Sequence, residues 1–225
     1  WRSWSLAAER LDLDVLQRLG RVLPLGQTSQ WLDELRPRGV AQDLELRWQA
    51  GVPAGQAARW SGRGRVQGLA LAPGAPSGGA EAWGRPGVEG VDVDFTFDER
   101  GGRAGVALRR GAVTLPGGFE EPRLPFDELA AQVRWRLDGA RVEVELADLR
   151  LANADLEGRG QLRWRSTDGG GDGTKGRGPG VLDLDVRLTR ADGARVVRYL
   201  PLTVGPDTRA YLKAAIRTGR ASDVR

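Results

Sequence analysis

Over 225 residues the chain has no cysteine and no histidine, which removes thiol nucleophiles, imidazole bases and Cys/His metal centres. No run of about 18 apolar residues occurs, so nothing here reads as a membrane-spanning helix, and 40% hydrophobic residues are enough for a packed core. The net charge of +4 would fit a nucleic-acid binder, but only Lys175 and Lys213 are lysines and the arginines lie beside acids in every segment rather than in a cluster.

Residues 1–24 read as a short strand around Trp4 and Leu6, followed by Leu16, Leu19, Val22 and Leu23 at helical spacing. Thr28 or Ser29 is placed to cap a second short helix over 30–35, with Trp31, Leu32 and Leu35 inward and Pro37 and Gly39 closing it. Strands then follow one another. Leu44, Leu46 and Trp48 alternate with Asp43, Glu45 and Arg47. A second run holds Trp60, Val66 and Leu69, with Gly62 and Gly64 predicting a bulge or tight bend.

Residues 72–90 are rich in Pro, Gly and Ala and predict a flexible connection, a soft boundary within one 1–225 region. Val91, Val93, Phe95 and Phe97 alternate with Asp92, Asp94 and Thr96. Across a turn at Arg100-Gly101, Ala104, Val106 and Leu108 answer them in register. Residues 112–115 predict a further short strand.

The clearest hairpin follows. Val133, Trp135 and Leu137 alternate with Arg134 and Arg136, and beyond Asp138-Gly139 the pattern resumes as Val142, Val144 and Leu146 around Glu143 and Glu145. Asp-Gly suits the two central positions of a two-residue turn. That turn would set Trp135 opposite Val142, Val133 opposite Val144, Arg134 opposite Glu143 and Arg136 opposite Arg141. Apolar residues then share one face and charges the other.

Leu149 and Leu151 extend this sheet, 156–164 adds a strand, and 167–180 is a Gly-rich loop. Leu182, Leu184, Val186 and Leu188 alternate with Asp183, Asp185 and Arg187. A turn at Asp192-Gly193 leads to Val196, Val197, Tyr199 and Leu200. Pro206-Asp207 opens a short helix with Tyr211, Leu212, Ala215 and Ile216, ended by Gly219. About ten strands against two or three short helices leave apolar strand faces that helices cannot cover. Either the sheet closes on itself as a sandwich, or part of its face stays open for a ligand or partner.

Chemistry-bearing motifs are weak. Gly171, Gly173 and Gly176 match G-x-G-x-x-G as a string, but a strand follows instead of the helix that a dinucleotide site needs. Asp92 with Asp94, Glu143 with Glu145, and Asp183 with Asp185 are carboxylate pairs spaced by two within alternating strands, which is the spacing of ordinary outward residues. No catalytic residue, cofactor or metal is expected, and no enzymatic activity. Trp60, Trp135 and Trp164 leave a carbohydrate- or peptidoglycan-binding module open, and a structural or protein-binding scaffold is the other alternative.

Three groups of phrases carry a resemblance. Leu35-Arg-Pro-Arg-Gly39 runs into the strand ending at Trp48. Val133-Arg-Trp135 precedes Ala152-Asn-Ala-Asp155. Gly178-Pro-Gly-Val-Leu-Asp-Leu184 is followed by Arg198-Tyr-Leu-Pro201, Tyr211-Leu212 and Gly219. In this order they resemble the central region of the YhdP branch of AsmA-like envelope proteins, over nearly the whole chain. The resemblance implies a piece of a larger periplasmic β region, anchored in the inner membrane of a Gram-negative bacterium through a segment outside it. It also implies a hydrophobic groove for phospholipid transport toward the outer membrane, with outer-membrane or other envelope proteins as partners.

Together these readings predict a mainly β fold: a curved, folded-over antiparallel meander whose groove contacts phospholipid acyl chains. The expected lining residues are Val93, Phe95, Phe97, Val106, Leu108, Val133, Trp135, Val142, Val144, Leu146, Leu182, Leu184 and Val186. Residues 221–225 read as the entry to another strand, so the chain is expected to be a fragment of something longer.

Overall fold

The computed structural model describes residues 3–15, 34–51, 58–76, 83–139, 141–166, 180–216 and 218–221. The expected helices at 16–23 and 30–35 fall almost wholly outside these residues, as does the Gly-rich loop at 167–179.

Alternation does what it predicts. Among the described residues, one antiparallel sheet contains every strand, in unbroken sequence order from first to last. The strands are β1 (Ser3–Asp12), β2 (Arg38–Gln49), β3 (Arg59–Leu71), β4 (Gly87–Asp98), β5 (Gly101–Thr114), β6 (Arg123–Asp138), β7 (Arg141–Ala152), β8 (Leu156–Arg165), β9 (Val181–Asp192) and the two-residue β10 (Arg220–Ala221). A 3-10 helix (Gly193–Tyr199) and an α-helix, α1 (Pro206–Ala215), separate β9 from β10. Strand-to-strand contact runs between sequence neighbours, so the sheet is open and the sandwich alternative falls away.

Several boundaries differ from the sequence reading. Asp138 pairs with Arg141, so Trp135 faces Val144, Val133 faces Leu146, Arg134 faces Glu145 and Arg136 faces Glu143. Asp138 is therefore the last residue of β6 and not a turn residue, and Gly139 after it is at φ +57. The shift of two preserves which face each side chain takes. The β4–β5 turn likewise falls on Glu99 and Arg100 rather than on Arg100-Gly101, which sets Phe95 opposite Ala104 and Val93 opposite Val106, again a shift of two that keeps the faces. Residues 112–114 belong to β5 itself, and 87–90 belong to β4 rather than to a loop. Val196, Val197 and Tyr199 lie in the 3-10 helix, whose first turn is capped by Asp192 Oδ1 accepting from Ala194 N at 3.0 Å.

The β2–β3 register slips opposite Gly64, between Gln42 and Glu45, while Gly62 pairs regularly; the extra residue within β3 itself falls between Val66 and Leu69, with Gly68 at φ +61. Three non-glycine residues inside strands also take left-handed conformations: Asp43 in β2, Arg110 in β5 and Asp148 in β7. Each marks a bulge or paired irregularity that bends its strand and resets the alternation beyond it.

The two rims of the sheet differ. At the first rim, β4–β5 and β6–β7 are joined by two-residue turns. At the second rim the described connections are longer and fold back. Leu13 packs on Ala41, Leu44 and Val66, while Phe119 and Tyr199 pack against Val91, Leu108, Leu124 and Phe126. The two clusters of the dry core therefore lie in the second-rim half of the sheet, with Ala104 the buried apolar residue nearest the first rim.

Candidate functional site: an apolar face and its clasp

Strand pairing places the apolar residues in rungs that cross the sheet, because residues opposite each other share a face. One rung reads Leu6, Leu46, Gly62, Phe97, Gly102, Trp135, Val144, Trp164 and Leu182 from β1 to β9. The next carries Gly64, Phe95, Ala104, Val133, Leu146, Leu162 and Leu184. Val66, Val93, Val106 and Ala131 form a third, which resumes as Leu149, Gly160 and Val186, and Leu69, Val91, Leu108, Leu129 and Leu151 form a fourth. Val142 faces Leu137 nearer the first rim. All thirteen residues expected to line a groove thus stand on one face.

They are not equally accessible. Leu108 is 1% exposed and belongs to the packed core, whereas Leu182 and Leu184 at the far strand are 53% and 59% exposed. Phe95, Phe97, Val133, Trp135, Val144 and Leu146 are half-buried.

Glycine opposite an aromatic ring lets the widest side chains lie flat. A Cβ on Gly62 would come within 2.8 Å of Phe97 Cε1 and Leu46 Cδ2, and one on Gly102 would meet Trp135 Cζ2 at 2.5 Å. Large and small residues alternate along the rung, so rings cover bare backbone. Phe95 and Phe97 stack at 5.7 Å with planes 10° apart, and Trp60 tilts against Phe97 at 5.4 Å and 58°. These glycines carry no hydropathy signal, and only their register opposite aromatics could have revealed them.

The opposite face is a chequerboard of guanidinium and carboxylate. Arg65 Nε meets Asp94 at 2.7 Å, Arg163 meets Glu145 at 3.2 Å and Arg165 meets Asp183 at 3.3 Å. Members of the carboxylate pairs are thus engaged by arginines of the next strand. The Arg63 guanidinium beside Glu45 holds that carboxyl below its ordinary range by hydrogen bonding and charge. Open clefts of about 600 and 360 Å³ lie between these side chains, around Arg63, Arg65 and Arg103, and around Arg134, Arg136 and Arg163.

Sequence reasoning missed a polar clasp at the second rim. Asn153, 6% exposed, directly follows β7. Its Oδ1 accepts from Asp155 N and Leu156 N, both at 2.9 Å, and its Nδ2 donates to Pro125 O and Tyr199 Oη, both at 2.9 Å. Tyr199 Oη in turn donates to Asp155 Oδ2 at 3.0 Å, and Arg198 pairs with Asp155 at 3.2 Å and Glu121 at 3.1 Å. Arg190 donates to the carbonyls of Asn153 and Ala154, and Leu202 N donates to Gly118 O at 2.9 Å. Burial pushes the Tyr199 phenol above its ordinary value; the hydrogen bond from Asn153 opposes this and the one to Asp155 adds to it. The phrases at 152–155 and 198–201, 46 residues apart at Asn153 and Tyr199, are therefore one structure: they pin the 3-10 helix over the core end of the apolar face.

No helix among the described residues is long and apolar enough to cross a membrane. No curated protein and no solved structure gives a match. A family model described as YhdP protein matches residues 1–225. Over its whole length, the chain belongs to the YhdP family.

Proposed function

We propose that this region holds phospholipid acyl chains along its apolar face, as one segment of a conduit across the periplasm that maintains the outer-membrane permeability barrier. One observation carries the reading: an apolar face continuous over nine strands, closed at the second rim and bare toward the first. A single sheet has no second layer to hide that surface. Each methylene moved from water onto it gains about 0.8 kcal/mol, so a chain laid across several strands is held without any chemical step. Family membership supports an envelope protein, and anchoring in the inner membrane with envelope or outer-membrane partners belongs to the same proposal.

The test uses the full-length protein with a photo-cross-linking residue at Leu184 or Val144, and with Arg163 on the charged face as control. Phospholipid adducts are expected at the first two positions and not at Arg163. Equal labelling on both faces, or none on the apolar one, sinks the proposal. Leu184→Glu should remove the adduct at Val144 while the fold survives.

A further inference from the structure

On the charged face guanidinium stands opposite carboxylate over most of the sheet: Arg63 opposite Glu45, Arg65 opposite Asp94, and Arg163 between Glu145 and Asp183. The pattern fails at two places. Arg103 meets Arg134, but Glu145 stands on the far side of Arg134 in the same rung. The second failure has no such relief. Arg150 on β7, Arg159 on β8 and Arg187 on β9 are direct neighbours in register, and the rung continues into β6 and β5 as Ala130 and Ala107. Neighbours on one face hold their Cβ atoms about 5 Å apart, and like charges so placed destabilise a sheet. All three arginines are exposed. Among the described residues neither Arg150 nor Arg159 has a carboxylate within 4.0 Å, while Arg187 is already engaged. A cleft of about 700 Å³ opens over the rung, lined by these arginines with Gln161, Asp148 and Asp185. Asp185 is itself engaged and faces Gln161, and Asp148 sits at the left-handed position of β7. Glu157, one rung on, lies 4.0 Å from Arg190. Three guanidiniums against two carboxylates leave the cleft positive.

We infer that this cleft is a phosphate site, with Arg150 and Arg159 as its principal ligands and Arg187 and Gln161 beside them. A guanidinium presents a planar pair of N–H donors that meets two oxygens at once. A tetrahedral phosphate has oxygens enough for more than one such fork, and its charge removes the repulsion that the bare rung carries. The lipid held on the apolar face cannot supply this group. Leu149, Leu151, Val186 and Leu188, the sequence neighbours of Arg150 and Arg187, take the other side of the sheet, so the backbone stands between the two surfaces. The phosphate therefore belongs to a different molecule, and the site does not depend on the acyl-chain reading.

Phosphorus NMR of inorganic phosphate, titrated with full-length protein in a phosphorus-free detergent at fixed ionic strength, tests it. The native chain should broaden the phosphate line. The double variant Arg150→Gln, Arg159→Gln should weaken binding roughly tenfold, since two charge-assisted contacts are removed. Arg47→Gln, exposed on the same face but next to Glu45, should leave binding unchanged. Without phosphate the double variant should melt no lower than the native chain, because a like-charge contact has gone. A photoreactive headgroup on phosphatidylglycerol, added to the same solution, separates the sources: adducts on peptides carrying Arg150 or Arg159 identify a lipid head, and phosphate binding without them identifies a soluble phosphate. Absence of broadening, or an equal loss in Arg47→Gln, overturns the site. So does a lower melting temperature of the phosphate-free double variant, which would make the arginines supports of the sheet.

Discussion

Asn153 and Tyr199 are joined by a 2.9 Å hydrogen bond from the amide Nδ2 to the phenol oxygen, and through it the segment after β9 is fastened to the end of β7. The same amide also satisfies the turn leading into β8. Asn153→Ala would leave Pro125 O, Asp155 N and Leu156 N without their partner at a buried position. A loss of about 2–3 kcal/mol is expected, read as a lower urea midpoint at unchanged slope. Tyr199→Phe removes the hydroxyl that accepts from Asn153 and donates to Asp155, and should cost about 1 kcal/mol. A loss for Asn153→Ala no larger than that for Tyr199→Phe would show that the clasp is held by packing alone.

The raised Tyr199 phenol gives the clasp an alkaline limit. A folded value above the unfolded one means the contribution is complete below the ordinary tyrosine range near 10 and disappears as pH rises through the folded value. Stability followed from about pH 8 to about pH 11 should therefore fall in the native chain more than in Tyr199→Phe. Identical profiles would remove the phenol from the account.

At the acid side the relevant pair is Glu89 and Arg123, 2.7 Å apart on β4 and β6. They reach across β5 over Ala112, which is wholly buried. The guanidinium lowers the Glu89 carboxyl below 4.5, so its contribution is present above that value and is lost as pH falls through the folded one. Glu89→Gln should flatten the stability profile below about pH 4.5. Acid sensitivity equal to that of the native chain would contradict this.

Gly62 and Gly102 are predicted to be more sensitive than their lack of side chain implies. Gly102→Ala forces its methyl toward Trp135 Cζ2 and Thr96 O, 2.5 and 2.6 Å away. Such overpacking costs about 1–3 kcal/mol. Gly62→Ala should behave similarly and be partly rescued by Phe97→Leu, because the ring is what the methyl meets. Additive losses in the double variant would rule out that contact as the cause.

Leu108 and Leu184 separate core from surface within the same apolar set. Leu108→Ala should cost about 2–5 kcal/mol, as for a leucine with nowhere to relax. Leu184→Ala should change stability by less than about 0.5 kcal/mol. Comparable losses at the two positions would mean that the first-rim half is packed as tightly as the second.

Much of the architecture could be read from alternation. Apolar and charged residues exchange every second position from Val133 to Leu137 and from Val142 to Leu146, and that pattern fixes a face even where the register was read two residues away. What it could not supply lies in the backbone. Asp43, Arg110 and Asp148 reset the alternation through left-handed conformations that their side chains do not announce. Parity counted from Leu46 or Leu146 therefore breaks down beyond those points. The Val196–Tyr199 segment resembles a strand because it is apolar, but its place is decided by Asp192, Asn153 and Asp155, contacts made with distant parts of the chain. Openness of the face was not legible at all, since alternation describes which side a residue takes and not what covers it.

An all-neighbour order of strands carries a consequence for size. Among the described residues no crossover ties one part of the sheet to a remote part, so an added hairpin finds its partners in the two strands beside it. Each such insertion would lengthen the sheet by about 10 Å at the usual interstrand spacing, exchanging one strand pairing for three and leaving the others as they are. Reach, in such a protein, is a quantity that evolution can adjust two strands at a time.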